Sequence, residues 1–326
     1  MPKVSVIVPI YRVEDHISRC ANSLFRQTLD DIEYIFIDDC TPDRSIDILY
    51  DVLQYYPHRK LQTKVLKMER NSGQAVVRRY GVSMSTGEFI IHCDSDDWVE
   101  IEMYEQLYKI AKEYHSEVVC CDYILTDGKN ENRLIKQVIP NDNVEIVHSL
   151  LLGEIHGSLC NKLVHRRLYE EMAIFPTDSM REDLVLMVQI LFNANGVSYM
   201  PYPYYNYYIN PTSITNTTDL ISLANRSWQS VRNIYHVETL LYQYGLKERF
   251  ANEISLAKFM IKDQASQLTM SRQWRKQWNK MFPELTLLDL INIPVSWKFK
   301  VKFVIIYLGV FVIINRILNL FTYKKD

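Results

Sequence analysis

The sequence predicts an α/β fold, a sheet of parallel strands joined by crossover helices and followed by a helical C-terminal region. Two observations predict it. From Val4 to Cys121 short β-rich runs alternate with stretches whose apolar residues recur at helical spacing. Beyond about Leu220 the strand signals stop while the helical ones continue.

Each element follows from its own pattern. Residues 4–10 form a nearly unbroken apolar run, as expected of a strand covered on both faces. Over 13–27, Val13, Ile17, Cys20, Ala21 and Leu24 fall on one helical face. The alternation then repeats as strand 34–37, helix 43–56 with Ile46, Leu49 and Leu53 inward, strand 64–68, helix 73–85 and strand 88–93. Helix 101–114 and strand 117–121 repeat it again. In the tail Trp228, Val231, Ile234 and Tyr235 recur at helical spacing, and Pro283 and Pro294 punctuate it.

Open sheets of this kind bind ligands beyond the carboxyl ends of their strands. The strand at 34–37 runs into Asp38 and Asp39, and the strand at 88–93 runs into Asp94, Asp96 and Asp97, so one crevice receives two acidic walls. Three carboxylates within four residues repel, and without a counter-charge one is driven towards its neutral form at a cost of roughly 1 kcal/mol or more. A hard divalent cation such as Mg2+ or Mn2+ removes that cost, a solvated acidic turn being the plainer alternative. The Tyr11 ring is placed to stack near a base, and 71–73 opens a helix whose N-terminus favours anions. With no GxxxxGK[ST] and no GxGxxG, neither a P-loop nor a dinucleotide fingerprint is available.

Composition narrows the partners. The 326 residues are 48% apolar and 23% charged, which suits one large or two ordinary domains. Lys plus Arg (37) nearly balances Asp plus Glu (39), so no basic field points to nucleic acid. Six cysteines without CxxC or finger spacing read as reduced core thiols of a cytoplasmic protein, and no signal peptide precedes the first strand. His148, His156 and His165 lack metal-ligand spacing and read as structural or surface residues.

Several segments, in order, carry a resemblance. They are Val4 to Tyr11, Ser23 to Thr28, Ile37 to Ser45, Asn71-Ser72-Gly73 through Arg78, and Thr86 to Ile90 leading into Asp94-Ser95-Asp96-Asp97-Trp98. Together they resemble family 2 glycosyltransferases of the type that builds bacterial surface polysaccharides, whose fold is the glycosyltransferase A type. The resemblance implies nucleotide-sugar contacts from Pro9, Tyr11, Asp39, Asn71, Arg78, Asp94 and Asp96, with Asp39 on the base. It implies a divalent metal, Mn2+ or Mg2+, on Asp97 with help from Asp96. Met180-Arg181-Glu182-Asp183-Leu184 opens a second-half helix where the family keeps its catalytic base, which gives Asp183 that role and puts Glu182, Asn161 and Lys162 on the acceptor side. Arg12 and Arg79 stand where the family usually has Asn, which puts the hydrogen bonds of those Asn residues in question; a guanidinium there suits a diphosphate, and Arg79 reads otherwise as a solvated helix residue.

The expected organisation is a catalytic domain over 1–218, with a nucleotide-sugar half 1–122 and an acceptor half 123–218, and a helical region over 219–326. The run Tyr202 to Tyr208 reads equally as a sugar-stacking wall or as strand core. The apolar run 303–314 is shorter than the roughly 18 residues of a spanning helix. Its flanking Lys298, Lys300, Lys302, Arg316, Lys324 and Lys325 suit a helix over 298–321 lying on the cytoplasmic face of a membrane, a protein-contact helix being the alternative.

The expected function is inverting, metal-dependent transfer of a sugar from a nucleotide sugar, a UDP-sugar, to a glycan or lipid-linked glycan acceptor. A two-carboxylate glycoside hydrolase and an inactive glycan-binding relative are the alternatives. A processive synthase is disfavoured, because Gln273-Trp274-Arg275 does not reproduce the Gln-x-x-Arg-Trp spacing.

Overall fold

Val4–Ile10 (β1) is buried at every residue but Pro9, because its neighbours cover both edges and helices cover both faces. It pairs in parallel with Ile32–Asp38 (β2) and Phe89–His92 (β4), and Thr63–Lys67 (β3) continues the sheet beyond β2. The crossovers are Ile17–Phe25 (α1), Ser45–Gln54 (α2) and Gln74–Met84 (α3). α3 lies so close to β1 that a Cβ at Gly81 would come 2.4 Å from Ile7 Cγ2, so any side chain there would lift the helix off the sheet. This computed structural model describes residues 1–129, 131–210 and 219–308.

Beyond β4 the sheet departs from the parallel pattern. Its order is β3-β2-β1-β4-β8-β6-β9-β5, with Asn132–Ile135 (β7) pairing with β6. Lys162–His165 (β8) enters antiparallel between β4 and Val118–Thr126 (β6), so the strand expected at 117–121 does not pair with β4. Only four residues long and opening on a lysine, β8 carries no strand signal of its own. Val197–Tyr208 (β9) runs parallel to β6, and Trp98–Val99 (β5) runs antiparallel to β9. Met103–Glu113 (α4), Asn143–Leu152 (α5), Arg166–Glu170 (α6) and Glu182–Asn193 (α7) complete this part. The seam expected at 122/123 falls inside β6, because one sheet carries both halves.

The chain divides into two compact units, Met1–Pro211 and Thr212–Asp326. The boundary expected at 218/219 borders residues 211–218, which lie outside the described residues. The second unit holds Leu220–Gln243 (α8), Ala251–Gln264 (α9), Arg272–Lys280 (α10), Leu287–Asn292 (α11) and Trp297–Tyr307 (α12). On α12, Phe303 is buried edge-on against Phe259 at 4.9 Å, and Arg275 donates to the carbonyls of Ile306 (3.1 Å) and Tyr307 (3.0 Å). Lys302 pairs with Asp263 at 2.7 Å and Lys300 donates to the Ile291 carbonyl. The described start of the 298–321 segment therefore packs on its own unit, and its remainder from 309 lies outside the described residues. Among the described residues no helix is long and apolar enough to cross a membrane.

Candidate active site

The turn after β4 sends its three carboxylates in different directions. Asp97 is 1% exposed, its Oδ2 accepting from the Tyr205 hydroxyl (2.5 Å) and its Oδ1 from the Tyr208 N–H (2.7 Å). Burial, then Asp96 and Asp94, push its pKa well up. Asp97, expected to lead a metal site, uses one lone pair of each oxygen to fasten β9 to the turn. Asp94 is half-buried and accepts from Arg78 Nη2 (2.6 Å) and Gln74 Nε2 (2.9 Å). Asp96, also half-buried, accepts from Asn210 Nδ2 at 3.1 Å, and burial beside Asp94 pushes its pKa up. Its carbonyl is held at 2.8 Å by Arg19, whose guanidinium lies 3.8 Å over the Trp98 ring. Sequence reasoning missed Arg19, which looks like any charged residue of an amphipathic helix.

One buried cation ties this loop to the second acidic pair. Arg78 bridges Asp94 and Glu182, the latter at 2.5 Å. Against the cost of burial, these two carboxylates keep its guanidinium firmly charged. Its Nε is buried and, among the described residues, has no hydrogen-bond partner. Glu182 and Asp183 open α7 behind Arg181, which takes a left-handed φ of 66°. Glu182 is buried, whereas Asp183 is half-buried, its Oδ1 accepting from the Leu184 N–H at 2.8 Å. Its Oδ2 faces Gly157, where an added Cβ would stand 3.8 Å away. Burial raises the pKa of both carboxyls, with Arg78 pulling each down.

Asn161 and Lys162 do not face a ligand. Asn161 is 2% exposed and donates to the Cys121 carbonyl at 2.6 Å. Lys162 is fully buried, its Nζ donating to the carbonyls of His156 (2.7 Å) and Ser158 (2.8 Å) and to Asn161 Oδ1 (2.8 Å). An ammonium has three protons, and all three are used. The expected acceptor contacts become the support of the 156–161 loop.

At the base end, Asp39 is 4% exposed and accepts from the N–H groups of Ser72 (2.7 Å) and Gly73 (2.9 Å). The amides leading into α3, expected to bind an anion, hold this carboxylate, and each of its oxygens keeps a second lone pair for a base. Asn71 is exposed, and Pro9 and Tyr11 are half-buried. Arg12, at φ 54°, lies 5.4 Å over the Tyr11 ring, and its N–H donates to Thr41 Oγ1. Arg79 is exposed, with its guanidinium 5.9 Å from the Phe175 ring. Of the tyrosine run, Tyr204 and Tyr205 are core, Tyr202 is exposed, and Tyr207 is half-buried near His156 and Tyr123. Among the described residues no three metal-ligating side chains converge.

A family model described as Glycosyl transferase family 2 matches residues 5–173. This chain belongs to that family. The match stops short of Asp183, Tyr205 and Tyr208. A putative glycosyltransferase of Bacillus subtilis (strain 168), EpsH, is 34% identical over 221 residues, covering 65% of this chain and 62% of EpsH. Among solved structures, S. aureus TarS 1-349 in complex with UDP-GlcNAc superposes with a TM-score of 0.57 at 20% identity, covering 84% of this chain and 88% of that one. The mannosyltransferase PcManGT of Pyrobaculum calidifontis, in complex with GDP-Man and Mn2+, gives 0.56 at 14% identity, covering 100% and 88%. At these identities the two structures speak for the fold, which is the glycosyltransferase A type expected of the family.

Proposed function

We propose that this family 2 member is an inverting glycosyltransferase that moves a sugar from a nucleotide diphosphate sugar, a UDP-sugar, to a hydroxyl of a glycan or lipid-linked glycan. The observation that carries the reading is the placement of two acidic sets on either side of one buried guanidinium, Asp94 with Asp96 and Glu182 with Asp183. The family membership and the TarS complex with UDP-GlcNAc support the donor class. A nucleotide donor and six free thiols both suit a reducing, cytoplasmic compartment.

The reaction needs charge handled at both ends of the bond being exchanged. A bond forms from the acceptor oxygen to the anomeric carbon, and the bond from that carbon to the diphosphate breaks with its electron pair leaving on the diphosphate. Asp183 Oδ2 takes the acceptor proton, a contribution of about 10²–10⁴-fold in rate. A single displacement of this kind inverts the anomeric centre.

The residues present fit a divalent cation. Asp96 is a half-buried carboxylate separated by one residue from Asp94, and its pKa is raised by burial and then by the Asp94 charge; the two are a pair of oxygen donors of the kind a hard cation takes. Asp96, with Asp94, would hold Mn2+ or Mg2+ together with ligand oxygens, and the bound ion supplies charge neutralisation on the departing diphosphate. Arg78 sets the direction of Asp94 from below.

Calorimetric titration of UDP into the purified protein, with manganese and then with chelator, tests this reading. Metal-dependent binding is expected, and binding in neither condition, for UDP or any other nucleotide, would remove the transferase reading in favour of a nucleotide-free one.

A further inference from the structure

Gly157 is a glycine that the fold does not require. Its φ lies outside the left-handed region, and an added Cβ would meet nothing closer than Asp183 Oδ2 at 3.8 Å and Leu150 Cδ1 at 3.9 Å, both ordinary contact distances. What its missing side chain does is leave open the approach to the oxygen of Asp183 that the helix start does not use.

The preceding residue is fixed on three sides. The His156 N–H donates to Gln137 Oε1 (2.9 Å), its carbonyl accepts from Lys162 (2.7 Å), and its Nδ1 accepts from the Ser158 N–H (3.3 Å). Accepting at Nδ1 places the proton of the neutral ring on Nε2, and among the described residues that N–H donates to no protein group. Burial and Lys162 push the imidazole pKa down to about 4, so the ring stays neutral in the physiological range. The ring stands 4.9 Å from Tyr123 and 6.1 Å from Tyr207. The phenol of Tyr207 in turn feels Asp94 and Asp97, which together with burial raise its pKa. The patch thus adjoins Asp183 on its Gly157 side. It combines an aromatic face, a directed donor and a backbone without a side chain beside a carboxylate, the recurring ingredients of a carbohydrate subsite.

We infer that His156, Gly157 and Tyr207 form the acceptor-sugar subsite, backed by the buried Tyr123, with the His156 Nε2–H donating to a pyranose hydroxyl while Gly157 leaves room for the attacking hydroxyl at Asp183 Oδ2. This rests on Asp183 as the base. Lys162 and Asn161 contribute as positioning residues, by holding the loop that carries the subsite.

The test uses methyl glycosides of glucose, galactose and N-acetylglucosamine as probes, titrated by ligand-observed NMR into the full chain loaded with UDP and manganese. The first variant, His156→Phe, keeps a ring but loses the donor and should weaken the best glycoside by about tenfold, the scale of one well-placed hydrogen bond. His156→Gln, whose amide nitrogen reaches the Nε2 position, should restore most of it. UDP affinity should be unchanged in both. Gly157→Val should weaken the glycoside without lowering the melting temperature. Unchanged glycoside binding in His156→Phe, no rescue by His156→Gln, an equal loss of UDP affinity, or no binding of any glycoside to the unaltered protein up to the solubility limit would each overturn the inference. Asp183→Asn separates it from the base assignment. If that variant still releases UDP from UDP-sugars at the unaltered rate, the base lies elsewhere while the glycoside shift at His156 stands.

Discussion

Two buried cations, Lys262 in the helical unit and Arg78 in the sheet unit, are surrounded differently. In the helical unit Lys262 donates to the carbonyls of Trp278 (3.0 Å) and Met281 (2.7 Å) and lies 4.1 Å over the Trp278 ring. Its partners carry no charge, and burial pushes its pKa down to about 8. In the sheet unit Arg78 meets two carboxylates, and Asp96, Asp97 and Asp183 lie around them, with Arg19, Arg181 and Lys162 as further cations nearby. Lys262 is a packing element with dipoles around it, as Lys162 is in the sheet unit, whereas Lys258 of the helical unit pairs with Glu238 and Glu284. The sheet unit keeps a surplus of carboxylates, several with raised pKa values, which is an arrangement completed by a cationic or proton-bearing ligand.

The sharpest way to break that contrast is Asp183→Asn. Turnover should fall by about 10²–10⁴-fold with UDP affinity intact, read by UDP release and calorimetry. Because burial raises the Asp183 pKa and the base must be ionised, kcat/KM in the unaltered protein should fall with decreasing pH at a higher pH than an ordinary aspartate would give. An acid limb at the usual carboxylate position would count against the role.

Next comes Arg78→Met, which leaves Asp94 and Glu182 facing each other without their cation. A loss of about 3–5 kcal/mol in urea unfolding is expected, with weakened UDP binding. Lys262→Met orphans two carbonyls and should cost about 1–3 kcal/mol without touching UDP affinity. If the two variants affect UDP binding alike, the contrast between packing cation and site cation fails.

Within the acid loop the expected effects are smaller and opposite in kind. Asp96→Asn should remove the manganese-dependent part of UDP binding and leave stability within about 0.5 kcal/mol. Asp97→Asn should lower stability by about 1–3 kcal/mol, through its bonds to Tyr205 and Tyr208, and keep the manganese dependence. The reverse pattern would restore Asp97 as the metal ligand.

The smallest effect is a pH slope. Lys262 has its folded pKa lowered from 10.5 to about 8, so between those values the unfolded chain binds a proton that the folded chain has released. Stability from this group therefore rises with pH across that window. Urea unfolding should show the rise in the unaltered protein relative to Lys262→Met, and parallel curves would exclude it.

The first four strands and three crossovers were legible because each is a buried run or a one-faced helix, patterns that depend only on local residues. β8 was not, since Lys162 is buried by virtue of carbonyls that the 156–161 loop brings to it. The acid loop was found but not resolved. Asp94, Asp96 and Asp97 look interchangeable in sequence, and only the direction of the turn and the arrival of β9 distinguish them. Arg78 was expected on the donor side, and its bond to Glu182 spans 104 positions, which no short pattern encodes. His156 was read as structural for want of metal spacing, a criterion blind to a neutral donor.

The anchoring of Asp97 also bears on how the site comes into being. Its two partners lie 108 and 111 positions later in the chain, beyond the 5–173 stretch that matches the family model. A fragment ending before β9 would carry the acid loop and the base-side loop while lacking the groups that orient the turn. Contacts of such separation form late, because a long loop must close before they contribute. The acid loop is then expected to be among the last parts of the sheet unit to mature during folding, and the stretch that matches the family model is not by itself the unit that orients it.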